Sequence, residues 1–244
     1  MRKIISKTNL FVATRDAILD AIKEGEIAQN DRLPSEETLS EMFSVSRTTI
    51  RNALQSLQND GLINKRHGTE ATVNRVCLGL NIRIDEAKGF SDLIAASGHR
   101  PGVIYNRLET EIVEPKIARK LALKKGSECL VLTELLSGDD DPVVFLREYY
   151  PFSTLNRIPE LSLLPSDIYK LSDSYFNKSI SYTIREISAV RDSDFLLKAM
   201  ELKSGVGFIK MEETHYSDDD KVIAYNETFL RDSIMKLQVV CRRP

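Results

Sequence analysis

Apolar residues recur at helical spacing through the first sixty residues of the chain and predict three helices. The first covers residues 10–24, and Gly25 follows it, where the end of a helix favours glycine. A second, short helix follows residue 35, and the third covers residues 47–59. The inward-facing positions are Phe11, Ile18, Leu19 and Ile22, then Leu39, Met42 and Phe43, and finally Ile50, Ala53, Leu54 and Leu57. The pattern therefore predicts a small helical core near the N-terminus.

Capping residues and a pair of short strands complete this region. Ser35 and Ser46 precede the second and third helices, where a serine hydroxyl accepts a bond from a backbone N–H group. Gly61 ends the third helix, and residues 62–66 and 71–73 then predict two short strands joined by a polar tip. This order of elements is that of a winged helix-turn-helix.

The start of the third helix carries chemistry suited to DNA. Arg47 and Arg51 lie one turn apart and can reach guanine edges or phosphates, while the hydroxyls of Ser46, Thr48 and Thr49 suit phosphates or a thymine methyl group. Positions 47 to 75 hold five basic and two acidic residues, a local net charge of +3, although the whole chain has −2. A local basic stripe steers a protein toward phosphates. The alternative is a solvated basic face on a small helical domain.

Three runs of residues sharpen this prediction: Arg32-Leu33-Pro34-Ser35-Glu36, Val45-Ser46-Arg47-Thr48-Thr49-Ile50-Arg51 and Gly61-Leu62. Together they resemble the DNA-binding domain of GntR-family transcription regulators. The resemblance implies homodimers that bind inverted repeats in double-stranded DNA, with a wing entering the minor groove. From the resemblance and the hydroxyl chemistry together, the candidate DNA-contacting residues are Arg32, Ser35, Ser46, Arg47, Thr48, Thr49, Arg51, His67 and Gly68.

Two acidic residues depart from that family pattern. The family often has an arginine where Glu37 stands and a second glycine where Glu70 stands. Because a carboxylate is repelled by phosphates, we expect one phosphate contact to be missing and the wing tip to lie differently.

An internal repeat with an offset of 79 residues organises the second part of the chain. Residues 118–126 align with 197–205, and residues 139–141 align with 218–220, without a gap. Each copy indicates a short helix, a glycine turn, a strand, an acidic turn and a second strand. Two copies predict an α+β domain with an antiparallel sheet. A shared supersecondary form without true pseudo-symmetry is the alternative.

Alternation along these strands places glutamates on mostly apolar faces. The glutamates concerned are Glu134 with its repeat mate Glu213, and Glu148 with its repeat mate Glu227. A carboxylate is costly to bury unless it is paired, so these residues are candidates for a binding pocket. The alternative is an edge position or a structural ion pair, with Arg185 or Arg231.

Further segments of the second part carry a resemblance of their own: Gly89-Phe90-Ser91, residues 98–101, 118–126 and 139–151, Ile168-Tyr169, and residues 223–232. They are similar to the UTRA effector-binding domain of the HutC-type subgroup of GntR regulators. The similarity implies a chorismate-lyase-like antiparallel sheet flanked by helices, with a small-molecule pocket and a dimer interface. We therefore divide the chain into a winged helix-turn-helix at 1–75, a linker at 76–84 and a UTRA domain at 85–244.

The effector site departs from the sugar-phosphate-sensing members of that subgroup. Those members commonly have arginines at the positions of Glu134 and Leu136, and a glutamate at that of Leu146, so a phosphosugar is not the expected effector. Ser91 either helps a helix start to hold an anion or only caps the helix. Strand alternation favours Tyr225 and Glu227 over Arg147 and Tyr149 as pocket residues. The candidate effector-binding residues are Phe90, Ser91, Glu134, Arg147, Glu148, Tyr182, Arg185, Tyr225 and Glu227.

The rest of the composition narrows the class of protein. Cys77, Cys129 and Cys241 are too scattered for a disulfide framework or a zinc site and fit a reducing cytoplasm. No apolar run approaches the roughly 20 residues of a membrane span, and no signal peptide is expected. His67, His99 and His215 are scattered along the chain, and no catalytic pairing of serine or cysteine with histidine is evident. We expect no catalytic residue, metal or cofactor.

Three hypotheses follow. The first is an effector-responsive transcription regulator, most simply a repressor. The second is a lyase-like enzyme built on the same C-terminal fold. The third is an architectural DNA-binding protein with a vestigial pocket.

Overall fold

The computed structural model of the protein describes residues 7–65, 70–80, 82–165, 167–191, 193–231 and 235–241. These residues form two compact units. The first contains the described residues up to Asp85 and from Gln238 onward, and the second spans Glu86–Leu237. Gln238 joins the first unit through its backbone, which donates to the Ile82 carbonyl at 2.8 Å and accepts from the Ile84 N–H group at 2.9 Å. Gln238 thus pairs with residues 82 and 84, which lie in the predicted linker.

The first unit is built from short helices and a two-stranded antiparallel sheet. Its elements are α1 (Lys7–Lys23), α2 (Glu36–Met42), α3 (Arg47–Asn59), β1 (Ile63–Asn64), β2 (Thr72–Val73) and α4 (Arg75–Leu78). Ile18, Ile50 and Leu57 are completely buried at its centre, because the apolar faces of α1 and α3 pack together there. The predicted winged helix-turn-helix is confirmed. The wing tip, residues 66–69, lies outside the described residues.

Two serine caps set the starts of α2 and α3. The Ser35 hydroxyl accepts a hydrogen bond from the Thr38 N–H group at 3.1 Å. The Ser46 hydroxyl accepts one from the Thr49 N–H group, also at 3.1 Å. Each cap satisfies a backbone donor that has no partner within its own helix. The Ser46 cap therefore fixes where α3 begins and so which residues form its first turn.

The second unit is a six-stranded antiparallel sheet with helices on its two faces. Its elements are α5 (Phe90–Ala96), β3 (Pro101–Ile112), α6 (Pro115–Lys120), β4 (Glu128–Gly138), β5 (Asp141–Pro151), α7 (Ile168–Tyr175), β6 (Tyr182–Arg191), α8 (Asp194–Ala199), β7 (Gly207–Tyr216) and β8 (Val222–Arg231). The strand order is β3-β4-β5-β8-β7-β6, which leaves β3 and β6 at the edges. The predicted α+β fold, an antiparallel sheet flanked by helices, is confirmed.

The two faces of this sheet are covered by different helices. On one face, α7 packs Leu171 against a cluster that includes Leu132. On the other face, α6 packs Ile117 against Tyr149, and α8 contributes Leu196 to a neighbouring cluster. We call the face under α7 the cleft face, because an open cleft described below lies on it.

The internal repeat is present, but its second copy contains one extra residue. The turn after β4 has two residues, because Gly138 pairs directly with Asp141. The turn after β7 has three, since Ser217 N–H donates to the Lys221 carbonyl at 2.9 Å across residues 218–220. The offset between the copies is therefore 79 residues before the turn and 80 after it. In agreement, Glu134 pairs with Leu146 in the first copy, and Glu213 pairs with Asn226 in the second.

This extra residue corrects the sequence-based assignment of faces. Side chains alternate along a strand, so a shift of one residue moves each of them to the other face. Tyr225 and Glu227 lie on the face opposite to Glu148, and Glu227 stands directly across from Arg147. The alignment without a gap was wrong beyond the acidic turn, and so was the preference for Tyr225 and Glu227 over Arg147.

Candidate DNA-contacting surface and effector cleft

An exposed group of basic and hydroxyl side chains lies at the start of α3. The side chains of Arg47 and Arg51 are 59% and 67% exposed, and Thr48 between them is exposed as well. The hydroxyl oxygens of Ser46 and Thr49 are 2.8 Å apart at the cap. The first turn of α3 therefore presents donors to solvent, on the helix end that a helix-turn-helix directs at base edges.

Arg32 and Ser35 belong to a neighbouring part of the same unit. The Leu33 N–H group donates to the Ala71 carbonyl at 2.8 Å, which holds the segment before α2 beside the wing strand β2. The Arg32 side chain is 70% exposed there, and Ser35 caps α2. His67 and Gly68, the two candidates in the wing tip, lie outside the described residues.

Glu36 forms an electrostatic link between α2, α3 and the wing. One of its carboxylate oxygens lies 2.5 Å from Lys65 Nζ, and the other lies 3.1 Å from an Arg51 guanidinium nitrogen. Hydrogen bonds from Lys65 and from Arg51 lower the pKa of the Glu36 carboxyl. Glu36 therefore stays ionised and holds the Arg51 side chain in place.

The two acidic departures from the family pattern also pair with candidate arginines. Glu37 forms an ion pair with Arg47, and a Glu70 carboxylate oxygen lies 3.6 Å from an Arg32 guanidinium nitrogen. These side chains are exposed, and exposed pairs contribute little to stability. DNA phosphates must nevertheless compete with these carboxylates for the arginines.

A cleft opens on the cleft face of the second unit. Its lining residues are Lys88, Gly89, Phe90, Glu134, Leu146, Glu148, Pro165, Ile168, Tyr169, Arg185, Glu213 and Asn226. Four of the candidate effector-binding residues are among them, namely Phe90, Glu134, Glu148 and Arg185. The structure thus brings residues from five strands and two helical regions to one concave site.

The other five candidates do not line this cleft. Arg147, Tyr225 and Glu227 lie on the opposite face, as the corrected register requires. The Tyr182 hydroxyl donates to Asp220 at 2.8 Å beside the β7–β8 turn. Ser91 is the second residue of α5, and the N-cap of that helix is Gly89. The alternative in which Ser91 only caps the helix is therefore wrong.

Those residues of the opposite face are engaged in ion pairs and hydrogen bonds of their own. An Arg147 guanidinium nitrogen lies 2.6 Å from the Glu111 carboxylate, and Lys210 Nζ lies 2.7 Å from Glu227. The Tyr225 hydroxyl donates to Glu212 at 2.7 Å. For Glu227, this network agrees with the alternative that the glutamates form structural ion pairs.

Within the cleft, Glu213 is fully satisfied by protein donors. The Arg185 guanidinium donates to one of its oxygens, with nitrogen–oxygen distances of 2.5 and 2.7 Å, and the Asn226 amide donates to the other at 2.7 Å. The Asn226 carbonyl oxygen is hydrogen-bonded to the ring of His215. Because burial lowers the pKa of His215, this ring is neutral at pH 7. The Glu213–Arg185 ion pair predicted as one alternative is thus present.

Glu134 and Glu148 have a different environment. Burial raises the pKa of Glu148 to about 8, and the Tyr150 hydroxyl donates to its carboxyl group. Burial raises the pKa of Glu134 to about 6. Loss of hydration is the largest cause in both cases, since the charged form of a carboxyl group suffers most from it. The cleft therefore contains two carboxyl groups that are costly to ionise together.

Sequence reasoning did not select Asn226, Tyr169 or Lys88 for the cleft. Asn226 is an uncharged residue in a mostly apolar strand. The alignment of the two copies without a gap did not place it across from Glu213. Its pairing with Glu213 becomes visible only once the extra turn residue is counted.

Across the described ranges, no group of three His, Cys, Asp or Glu side chains is arranged to hold a metal ion. Among the helices of those same ranges, none is long and apolar enough to cross a membrane.

Comparison with known proteins agrees with this architecture. The chain is 21% identical over 227 residues to the HTH-type transcriptional regulator GgaR of Escherichia coli (strain K12), covering 93% of this chain and 89% of GgaR. It is 22% identical to the probable fructoselysine utilization operon transcriptional repressor of the same organism, covering 96% and 95% of the two chains. The crystal structure of the possible transcriptional regulator YydK from Bacillus subtilis has the same fold, with a TM-score of 0.73, 17% identity, and coverage of 96% and 99%.

Two family models match the two parts of the chain. Residues 12–73 match the gntR family of bacterial regulatory proteins, and residues 96–236 match the UTRA domain. This combination is consistent with the HutC-type subgroup. The chain therefore belongs to the GntR family of DNA-binding transcription regulators, and it carries a UTRA effector domain.

Proposed function

We propose that this regulator acts as a repressor, that it binds an inverted-repeat operator as a homodimer, and that a small molecule bound in the cleft controls operator binding. One observation carries the proposal: exposed DNA-reading chemistry and a small-molecule cleft occur in separate compact units of one chain. Because it acts on DNA, we infer that the protein works in the cytoplasm.

Base recognition is assigned to α3. Arg47 and Arg51 can donate in pairs to guanine O6 and N7, and Thr48 and Thr49 can contact phosphates or a thymine methyl group. Their exposure and their spacing along α3 support this assignment. Arg32 and the wing residues His67 and Gly68 are assigned to the flanking DNA.

The exposed edges of the sheet support a homodimer. The edge strand β3 exposes Val103 and Ile104, and the edge strand β6 exposes Ile184 and Ile187, each side chain by about half. Apolar side chains along an unpaired strand edge favour contact with another chain. A second copy of this chain is the partner that an inverted-repeat operator requires.

Control by a ligand requires that the ligand bind more tightly to one arrangement of the dimer than to another. The cleft supplies the binding site, with Phe90 and Ile168 as apolar walls and Glu134, Glu148 and Arg185 as polar groups. We assign no catalytic step to this cleft. Turnover of a bound compound by the purified protein would contradict that assignment.

The DNA side is tested with a duplex selected from a random library by the purified protein. Arg51→Ala should weaken binding to this duplex by about 1–3 kcal/mol, because the guanidinium no longer reaches a base. Fluorescence anisotropy of the labelled duplex measures the change. The matched control is Arg100→Ala, which removes an exposed arginine of the second unit. Equal affinities for the wild type and Arg51→Ala would refute base reading by α3.

A further inference from the structure

The two copies of the repeat treat equivalent glutamates differently. Glu213 in the second copy is equivalent to Glu134 in the first, at the offset of 79 residues. Glu213 receives hydrogen bonds from the Arg185 guanidinium and from the Asn226 amide. Both donors come from the strands on either side of it, because Arg185 and Asn226 are its direct cross-strand neighbours. This arrangement shows what a carboxylate at this position of the sheet needs.

The first copy supplies neither donor. The residue across from Glu134 on β3 is Asn106, which stands where the second copy has Arg185, and its side chain is exposed. The residue across from Glu134 on β5 is Leu146, which stands where the second copy has Asn226. Within the part of the chain that the structure describes, the Glu134 carboxylate has no hydrogen-bond or ion-pair partner. Its site lacks both the cation and the amide found in the other copy.

The cleft also has more acidic than basic side chains in its lining. Glu148 lies on the neighbouring strand, one diagonal step from Glu134, and its residue is only 7% exposed. The two cations of the cleft already have acidic partners: Arg185 pairs with Glu213, and Lys88 Nζ lies 2.6 Å from Glu86. The cleft therefore has an excess of carboxyl groups around Glu134 and Glu148.

We propose that the cleft binds an amine-bearing small molecule whose ammonium group lies against Glu134 and Glu148, where the second repeat uses the guanidinium of Arg185. The proposal rests on the proposed function, since it takes this cleft to be the effector site. An ammonium group fits better than hydroxyl groups, because its positive charge stabilises the ionised form of both carboxyl groups, which neutral hydroxyl donors cannot do. Phe90, Leu146 and Ile168 provide apolar contacts for the rest of the molecule.

The test compares amines with matched compounds that carry fewer amino groups or none. The full-length protein is melted with 20 mM of each member of three sets: glucosamine and glucose, 1,4-diaminobutane and 1,4-butanediol, and lysine and norleucine. Glucose 6-phosphate and magnesium chloride are added as separate arms. The same compounds are tested on Glu134→Gln and on Glu128→Gln, a control carboxylate exposed at the start of β4.

The expected result is that at least one amine raises the melting temperature more than its partner that has fewer amino groups or none. Glu134→Gln should weaken that binding about tenfold, as loss of one partner of a close charge pair does, whereas Glu128→Gln should not. If a neutral or phosphorylated compound stabilises as strongly as the amines, the ligand class is wrong but effector binding stands. Stabilisation by magnesium alone also overturns the ligand class. If no arm stabilises the protein, both the ligand class and ligand control through this cleft fail.

Proton release gives a second readout. At pH 7 the Glu148 carboxyl group is mostly protonated in the empty cleft, because burial raises its pKa to about 8. A bound ammonium group favours the ionised form, so binding should release protons and the affinity should rise between pH 6 and pH 8. The groups that face Glu148 from the surrounding elements are Glu134, Tyr150, Glu213, Arg185, Asp167, Tyr169 and Lys88. Calorimetry in buffers of different ionisation enthalpy measures the release, and binding with no proton release would contradict contact between the ammonium group and Glu148.

Discussion

At the scale of single residues, the environment decides what a glutamate does. Glu213 is satisfied by an arginine and an amide, and Glu227 lies in an ion-pair network on the opposite face. Glu148 is buried with a tyrosine hydroxyl as its donor. The sequence predicted carboxylates on apolar strands and so found Glu134 and Glu148. It did not separate Glu227 from them, because the distinction depends on register rather than on residue type.

The pKa of Glu148 leads to a prediction for stability. The folded-state pKa of about 8 lies above the unfolded value of about 4.5, so the folded protein binds more protons between these values. The free energy of unfolding should therefore fall as the pH rises from about 5 to 8, by at most about 1.4 kcal/mol per pH unit from this group. Glu148→Gln, which cannot titrate, should flatten this slope and be the more stable protein at pH 8. Urea unfolding at several pH values measures the free energy of unfolding of both proteins.

Glu128→Gln serves as the control for this measurement, because it removes an exposed carboxylate from the same sheet. It should keep the pH dependence of the wild type. Parallel stability curves for the wild type and Glu148→Gln would show that Glu148 does not titrate as described.

At the scale of elements, helices were easier to predict than strand faces. Helix α3 has the same bounds as the sequence prediction, because apolar spacing and the Ser46 cap act locally. The face of β8 was mispredicted because three consecutive aspartates match in the two copies and hide the extra turn residue. Register is fixed instead by pairing between β5 and β8, which are distant in sequence. Local patterns therefore could not reveal it.

The glycine turns before β4 and β7 allow a test at this scale. Gly126 has a φ of +83°, and an added Cβ atom would meet no heavy atom within 4 Å. Gly126→Ala should therefore destabilise the protein through backbone strain alone, by about 1–2 kcal/mol. Gly126→Asn should cost less, since asparagine adopts this conformation more readily. Chemical unfolding measures both, and Gly79→Ala at a φ of −80° is the control. An alanine variant as stable as the wild type would contradict the strain argument.

At the scale of the whole molecule, the net charge of −2 is a poor guide to function. This value is a sum over a locally basic segment in the first unit and an acidic cleft in the second. The two-part organisation could be predicted from the sequence, because each part carries its own motifs. The composition of the cleft could be predicted only in part, since its lining comes from strands that are far apart in the chain. DNA reading and ligand sensing are thus carried by different units.

Operator binding by a dimer is tested most directly by comparing an inverted repeat with one of its halves. Duplexes are selected from a random library by the purified protein, and binding is then titrated on the selected duplex and on a single half-site at several salt concentrations. We expect the selected sequences to form an inverted repeat. We also expect two chains to bind each duplex and the affinity to fall steeply with salt. Failure to enrich any sequence, or equal affinity for the single half-site, would refute operator binding by a dimer.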